Sequence, residues 1–139
     1  MYLLDTVVLS ELRKRRPNPN VVAWIDAVAL ADLFLSVVTI AEIELGIERQ
    51  KRVDAAFASQ LAGWLDVTLR AYGARILPMT TAIARRWGRL AAAQIGNREP
   101  DLAIAATALE HGLTLVTRNV SDFTPTGVVT LDPFNLPAR

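Results

Sequence analysis

The sequence has no cysteine and a single histidine, His111. Disulfides, thiolate metal sites and cysteine nucleophiles are thereby excluded, and so is a zinc centre built from the usual nitrogen and sulfur ligands. There is no glycine-rich phosphate loop and no nucleophile elbow. Asp5-Thr6-Val7 lacks the second aspartate, two residues on, of an aspartyl-phosphate phosphatase, and no lysine closes a strand as a phosphoreceiver domain would require. No apolar run reaches the roughly 20 residues that cross a bilayer. The first residues carry no basic stretch ahead of an apolar segment, so no secretory leader is expected, and with no cysteine the expected location is cytoplasmic. An excess of either charge is lacking too: 15 basic against 14 acidic side chains leave +1. Any hold on a polyanion must come from local patches.

What is plentiful is apolar surface. Hydrophobic residues make up 52% of the 139, and mean hydropathy is +0.28. The length suits one domain, 1–139, with a core that needs no staples. The apolar excess, with no membrane segment to absorb it, implies a buried partner surface as well.

The chain is organised around Pro100 to Phe123. Pro100 suits the start of a helix, where its missing N–H is no loss. Asp101 follows in the first turn, at the positive end of the helix dipole. Asp101, Ile104, Ala105 and Ala108 share one face. His111-Gly112 ends the helix, which leaves the histidine in a C-terminal turn. Leu113 to Val116 reads as a short buried strand, Thr117-Arg118-Asn119 lies at its carboxyl end, and Asp122 falls in the loop beyond.

The rest repeats this alternation. Met1 to Leu4 is a strand closed by Asp5, whose plainer role is to cap a helix starting near Val7. That helix ends in Leu12-Arg13-Lys14-Arg15-Arg16, and Pro17 to Asn20 reads as a turn. The basic run is either a solvated face or a grip on a phosphate backbone. Val21 to Leu30 is a second helix and Leu33 to Leu35 a strand. Thr39 and Glu42 have the spacing of a capping box, yet Glu42 also lies beside the apolar stripe of Ile40, Ile43 and Ile47. Val53 to Tyr72 resumes a helix and pairs with the one before it as a hairpin arm, readable as core or as a subunit interface. Arg75 to Leu77 is a third strand. A helix capped by Thr80 or Thr81 runs to Ile95, with Arg85, Arg86 and Arg89 facing away from the core. Gly96 to Glu99 is a loop, and Val128 to Leu131 is a final edge strand ahead of a proline-rich tail.

Strands alternating with helices predict an α/β fold: three layers, with a mostly parallel sheet of four to five strands and helices on both faces. In such a sheet ligands sit beyond the carboxyl ends of the strands. Asp5, Glu42, Asp101 and Asp122 all belong to connections at that edge. Each alone has a structural role, as cap, capping box, dipole partner or turn former. Together they would repel one another unless protons are shared or a cation is bound. All-oxygen donors point to Mg2+, with Mn2+ as an alternative. Carboxylate-held Mg2+ serves phosphate chemistry.

MYLLDTVVLSEL, LSVVTIAEIELGIE and DLAIAATALEHGLTLVTRNVSDF, in this order and spacing, resemble the PIN domain of VapC-type toxin endoribonucleases over nearly the whole chain. The resemblance implies Mg2+-dependent cleavage of RNA, pairing with a cognate antitoxin protein, and a homodimer. By position it makes Asp5, Glu42 and Asp101 the first three catalytic acids and Asp122 the fourth, with Asn119 as the other candidate for that place. On this reading Asp5 and Asp101 ligate the metal, Glu42 and Asp122 act through water or a second ion, and Thr6, Arg13, Lys14, Arg15, Arg16, Arg118 and Asn119 are the candidates for touching RNA. Val7 stands where the family commonly has asparagine. A non-catalytic partner- or nucleic-acid-binding module and a DNA-directed nuclease are the alternatives.

Overall fold

Successive strand residues point to opposite faces of a sheet, and here that alternation divides the core in two. Leu4, Leu33, Leu35 and Val116 turn to one side, and Leu3, Phe34 and Leu115 to the other. The computed structural model describes residues 1–93 and 99–136. Its strands are β1 (Tyr2–Leu4), β2 (Leu33–Ser36), β3 (Ile76–Leu77), β4 (Thr114–Val116) and β5 (Thr130–Leu131). They form one sheet in the order β3-β2-β1-β4-β5. Every neighbouring pair is parallel.

Helices cover both faces. Val8 and Leu9 of α1 (Thr6–Leu12), Val21 of α2 (Pro19–Ala27), Ile43 and Ile47 of α3 (Val37–Gln50), and Leu65 and Tyr72 of α4 (Ala55–Tyr72) fill the first core. The second takes Leu90 of α5 (Thr81–Ala92), Ile104, Ala105 and Ala108 of α6 (Glu99–His111), and Phe123 of α7 (Val120–Phe123). The expected three-layer α/β architecture is therefore present, with five strands. The hairpin of α3 and α4 is a core layer on its inner side, while Leu45, Val53 and Val67 stay exposed.

Several boundaries differ from the sequence expectation, each for a local reason. Asn18-Pro19 opens α2 instead of closing a turn: Asn18 Oδ1 accepts from Asn20 N at 2.9 Å, and Pro19 sits at the first helical position. Asp54 caps α4, accepting from Phe57 N at 3.0 Å. Ser36, not Thr39, caps α3, its Oγ accepting from Val38 N at 3.0 Å. Asp122 lies within α7 and not in a loop. α5 ends at Ala92 with Ala93 as its C-cap, short of the expected Ile95, and Glu99 opens α6 instead of closing a loop; residues 94–98 lie outside the described residues.

The close of α6 follows the sequence expectation. Gly112 has φ +64, Gly112 N donates to Leu109 O at 3.3 Å, and Leu113 N donates to Ala108 O at 2.9 Å. This is the Schellman pattern, which needs a left-handed residue. Gly112→Ala is expected to lower stability by about 1–2 kcal/mol. Urea denaturation checks it, and an unchanged midpoint would mean that the turn re-forms without the left-handed residue.

The topology also fixes where a site can lie. The chain leaves β1 for β2 on one side, and it later returns from β3 to β4 on the other. β1 and β4 thus flank a switch point, and the crevice beyond their carboxyl ends is the ligand position of parallel sheets.

Candidate active site

Asp5 is the first residue past β1 and the cap of α1. Its backbone N donates to Val116 O at 2.9 Å, which continues the ladder to β4. Oδ1 accepts from Thr6 N at 2.8 Å, and Oδ2 accepts from Thr117 Oγ1, also at 2.8 Å. The capping role and the site role therefore fall on one carboxylate. Asp5 is only 5% exposed. Burial pushes its carboxyl up to about 6; the bonds from Thr117 and Thr6 oppose the rise, and the charges of Asp101 and Glu42 add to it.

Glu42 reaches the same place from α3. The helix starts three residues earlier than a Thr39 cap would require, so the capping box does not form. Glu42 instead accepts from Thr6 Oγ1 at 2.7 Å, while Thr39 Oγ1 lies 3.1 Å from the same hydroxyl. Asp101 sits in the first turn of α6, partly buried. Asp5, Glu42 and Asp101 are thus drawn into one electrostatic neighbourhood by three different connections at the carboxyl edge.

Asp122 is exposed on α7, just beyond β4. Its N–H donates to Asn119 O at 3.0 Å, and Asn119 is the exposed cap residue of that helix. The basic candidates spread out. Arg13 lies 5.5 Å from the Phe57 ring centroid. Lys14 pairs with Glu11 at 2.8 Å. Arg15 and Arg16 are exposed. Arg118 lies 4.6 Å from the Phe134 ring centroid and faces the C-terminal segment.

Two residues were not among the sequence candidates. Glu11 is buried, and the hydrogen bond from Lys14 holds its carboxyl below the usual range. It also accepts from Asn18 N at 2.9 Å, tying α1 to α2. Thr117 is fully buried; besides donating to Asp5 it accepts from Asn119 N at 3.1 Å. No local sequence signal marks Thr117, because its partner Asp5 is reached only through the pairing of β1 with β4.

The donor chemistry fits a hard divalent cation. Every side chain in the neighbourhood offers oxygen, and His111 lies ten residues from Asp101 along α6, about 15 Å at 1.5 Å per residue. Among the described residues no three acids stand close enough to form a ligand set by themselves.

Comparison with known proteins decides the family. Residues 2–123 match the PIN domain. The chain belongs to the PIN-domain family. It is 34% identical over 144 residues to toxin FitB of Neisseria gonorrhoeae, covering 97% of this chain and 99% of that one. It is 35% identical over 140 residues to the VapC ribonuclease Y4jK of Sinorhizobium fredii, covering 96% and 98%. The crystal structure of FitAcB from Neisseria gonorrhoeae superposes with a TM-score of 0.86 at 35% identity, over 98% of this chain and 100% of that chain. These likenesses support a nuclease of the toxin class. No helix among the described residues is long and apolar enough to cross a membrane.

Proposed function

We propose that this PIN domain is a Mg2+-dependent endoribonuclease, the toxin of a toxin–antitoxin pair, with Asp5, Glu42, Asp101 and Asp122 as its acids. The observation that carries the reading is Asp5: a buried carboxylate at the switch point, held by two hydrogen bonds and raised to about 6 beside Asp101 and Glu42. Such a group is poised to receive a cation, which would relieve both its burial and its like-charge neighbours. The likeness to toxin FitB and to the VapC ribonuclease Y4jK supports the substrate class.

Asp5 and Asp101 would hold Mg2+ (or Mn2+), with Glu42 and Asp122 acting through water. The bound cation would supply an activated water and offset charge on the phosphate. Thr117 and Thr6 N fix both oxygens of Asp5, so its lone pairs aim in one direction. Thr6 donates to Glu42 Oε1 and so fixes that carboxylate beside Asp5 at the edge of the sheet. In the hydrolysis a water oxygen bonds to phosphorus, the bond to the leaving ribose oxygen breaks, and that oxygen takes a proton. Arg13, Arg15, Arg16 and Arg118 would meet backbone phosphates as the strand crosses the edge.

The partners follow from the same reading. An antitoxin segment silences an acidic metal site most directly by presenting an arginine to it, since the planar fork pairs with carboxylates. The exposed Leu45, Val53 and Val67 on the α3–α4 hairpin and its turn are the apolar surface available to a second copy or to that segment.

Glu42→Gln tests the site assignment. Glutamine still accepts from Thr6, and no capping box is lost, so stability should change by less than about 1 kcal/mol. Cleavage of single-stranded RNA with Mg2+ should nonetheless fall by about 100-fold or more, on the scale set by loss of one preorganised polar group. Retained turnover would return Glu42 to a structural role.

A further inference from the structure

Thr39 has no part in the roles given above, yet it is a polar side chain that is fully buried in the first turn of α3. It does not cap its helix, because Ser36 does. A threonine within a helix commonly turns its hydroxyl back onto a carbonyl one turn earlier. Thr68 and Thr107 do so, donating to Trp64 O at 2.9 Å and Ala103 O at 2.8 Å. In a first turn no helical carbonyl lies behind the side chain. Among the described residues the hydroxyl of Thr39 instead meets one group, Thr6 Oγ1, 33 positions away and at 3.1 Å.

Two hydroxyls and a carboxylate are thus linked in series, and counting protons fixes the direction of each bond. Thr6 Oγ1 carries one proton and has two neighbours, Glu42 Oε1 at 2.7 Å and Thr39 Oγ1 at 3.1 Å. An ionised carboxylate can only accept, and 2.7 Å is the length of a charge-assisted O–H···O bond. The Thr6 proton therefore goes to Glu42. That leaves Thr39 to donate to Thr6, so both bonds run the same way and polarise each other. Were Thr6 to turn its proton toward Thr39, two hydroxyl protons would compete for one contact. A buried donor would then stand without an acceptor, which is costly.

We infer that Thr39 is a positioning residue of the acidic site: its buried hydroxyl holds the Thr6 proton on Glu42 and so fixes the Glu42 carboxylate where it faces the metal's water. The inference rests on the endoribonuclease reading and deepens it. Thr39 touches neither RNA nor metal and acts through Thr6.

Thr39→Val and Thr39→Ser separate positioning from packing. Valine keeps the branched shape and removes the proton, whereas serine keeps the proton and removes a methyl group from a fully buried place. Thermal stabilisation by Mg2+ is the first measurement, because it needs no turnover. Thr39→Ser should melt below wild type and still respond to Mg2+ at the wild-type midpoint. In Thr39→Val that midpoint should rise by about 10-fold, the lower end of what outer partners of a metal site are worth. If Thr39→Val does not fold, Thr39→Ser against Thr39→Ala asks the same question with a difference of one oxygen. In cleavage of single-stranded RNA at saturating Mg2+, Thr39→Val should lower kcat by about 10-fold and leave KM unchanged, and Thr39→Ser should restore kcat. Within a Glu42→Gln background Thr39→Val should cost nothing further, since the group it acts through is gone.

A Thr39→Val protein with the wild-type midpoint and kcat overturns the inference. So does a Thr39→Ser protein impaired as much as Thr39→Val, which is the mark of packing, and so does a full additional loss in the Glu42→Gln background. If wild type cleaves no RNA while the Mg2+ midpoints shift as expected, the positioning role stands and the endoribonuclease reading falls. A wild-type protein that Mg2+ does not stabilise at all overturns both.

Discussion

Asp5→Asn is expected to abolish Mg2+-dependent RNA cleavage and, in metal-free protein at neutral pH, to make the fold more stable. The stability half follows from linkage. The Asp5 carboxyl is raised from 3.8 to about 6 by burial. Between those values the folded state binds a proton that the unfolded chain has released, so wild-type stability falls as pH rises through the window. Above pH 6 the whole penalty is present: about two pH units, or about 3 kcal/mol. Asparagine carries no charge and remains a good cap, with its carbonyl oxygen placed to accept from Thr6 N. Its amide would face Thr117 Oγ1 and require that hydroxyl to turn, which returns about 1 kcal/mol. The net gain is then about 2 kcal/mol near pH 7.5; it vanishes between pH 4 and 5, where the burial penalty has fallen to about 1 kcal/mol, and below that the variant is the less stable by up to about 1 kcal/mol. The activity half is larger: outer partners of metal sites are already worth 10- to 100-fold, so loss of a ligand should cost about 100-fold or more. Denaturation in EDTA across pH 4–8, with cleavage measured alongside, checks both. A variant less stable than wild type at every pH would refute the burial account, and wild-type cleavage would refute the metal assignment.

The sequence made some of this visible and hid the rest, according to how far apart the interacting residues lie. Pro100, Asp101 and the His111-Gly112 ending mark α6 because caps and dipoles act within one turn. The strands are legible as apolar runs, and helices between them imply parallel pairing. The start of α3 was not legible, since Ser36 and Thr39 are both acceptable caps. Register decides it: Ser36 is the last paired residue of β2, opposite Leu77, so the chain must turn there. The four-residue α7 is too short to show a period, which is why Asp122 reads as a loop residue. Thr117 was out of reach for another reason. Its partner lies 112 positions away, and only the adjacency of β1 and β4 brings the two together.

Thr117→Val is the substitution that isolates this long-range contact. Valine keeps the branched shape in a fully buried position but removes one hydroxyl with two bonds. Asp5 Oδ2 loses its donor and Asn119 N its acceptor. An unsatisfied buried polar group costs about 1–3 kcal/mol, so a loss of about 2–3 kcal/mol is expected at neutral pH. The Thr117 bond also lowers the Asp5 carboxyl against its burial; without it that group should rise further, and stability should fall over a window reaching to higher pH. Asp5 itself remains, so Mg2+ binding should be weakened and not lost, by about 10- to 100-fold as for other orienting partners. Thermal stabilisation by Mg2+ reads this without any turnover: the titration midpoint should move up by that factor while the maximal shift is retained. High Mg2+ should correspondingly recover much of the cleavage in Thr117→Val and none in Asp5→Asn. A Thr117→Val protein that responds to Mg2+ at the wild-type midpoint would leave Thr117 as packing alone, and the aim of the Asp5 carboxylate would then rest on its bond to Thr6.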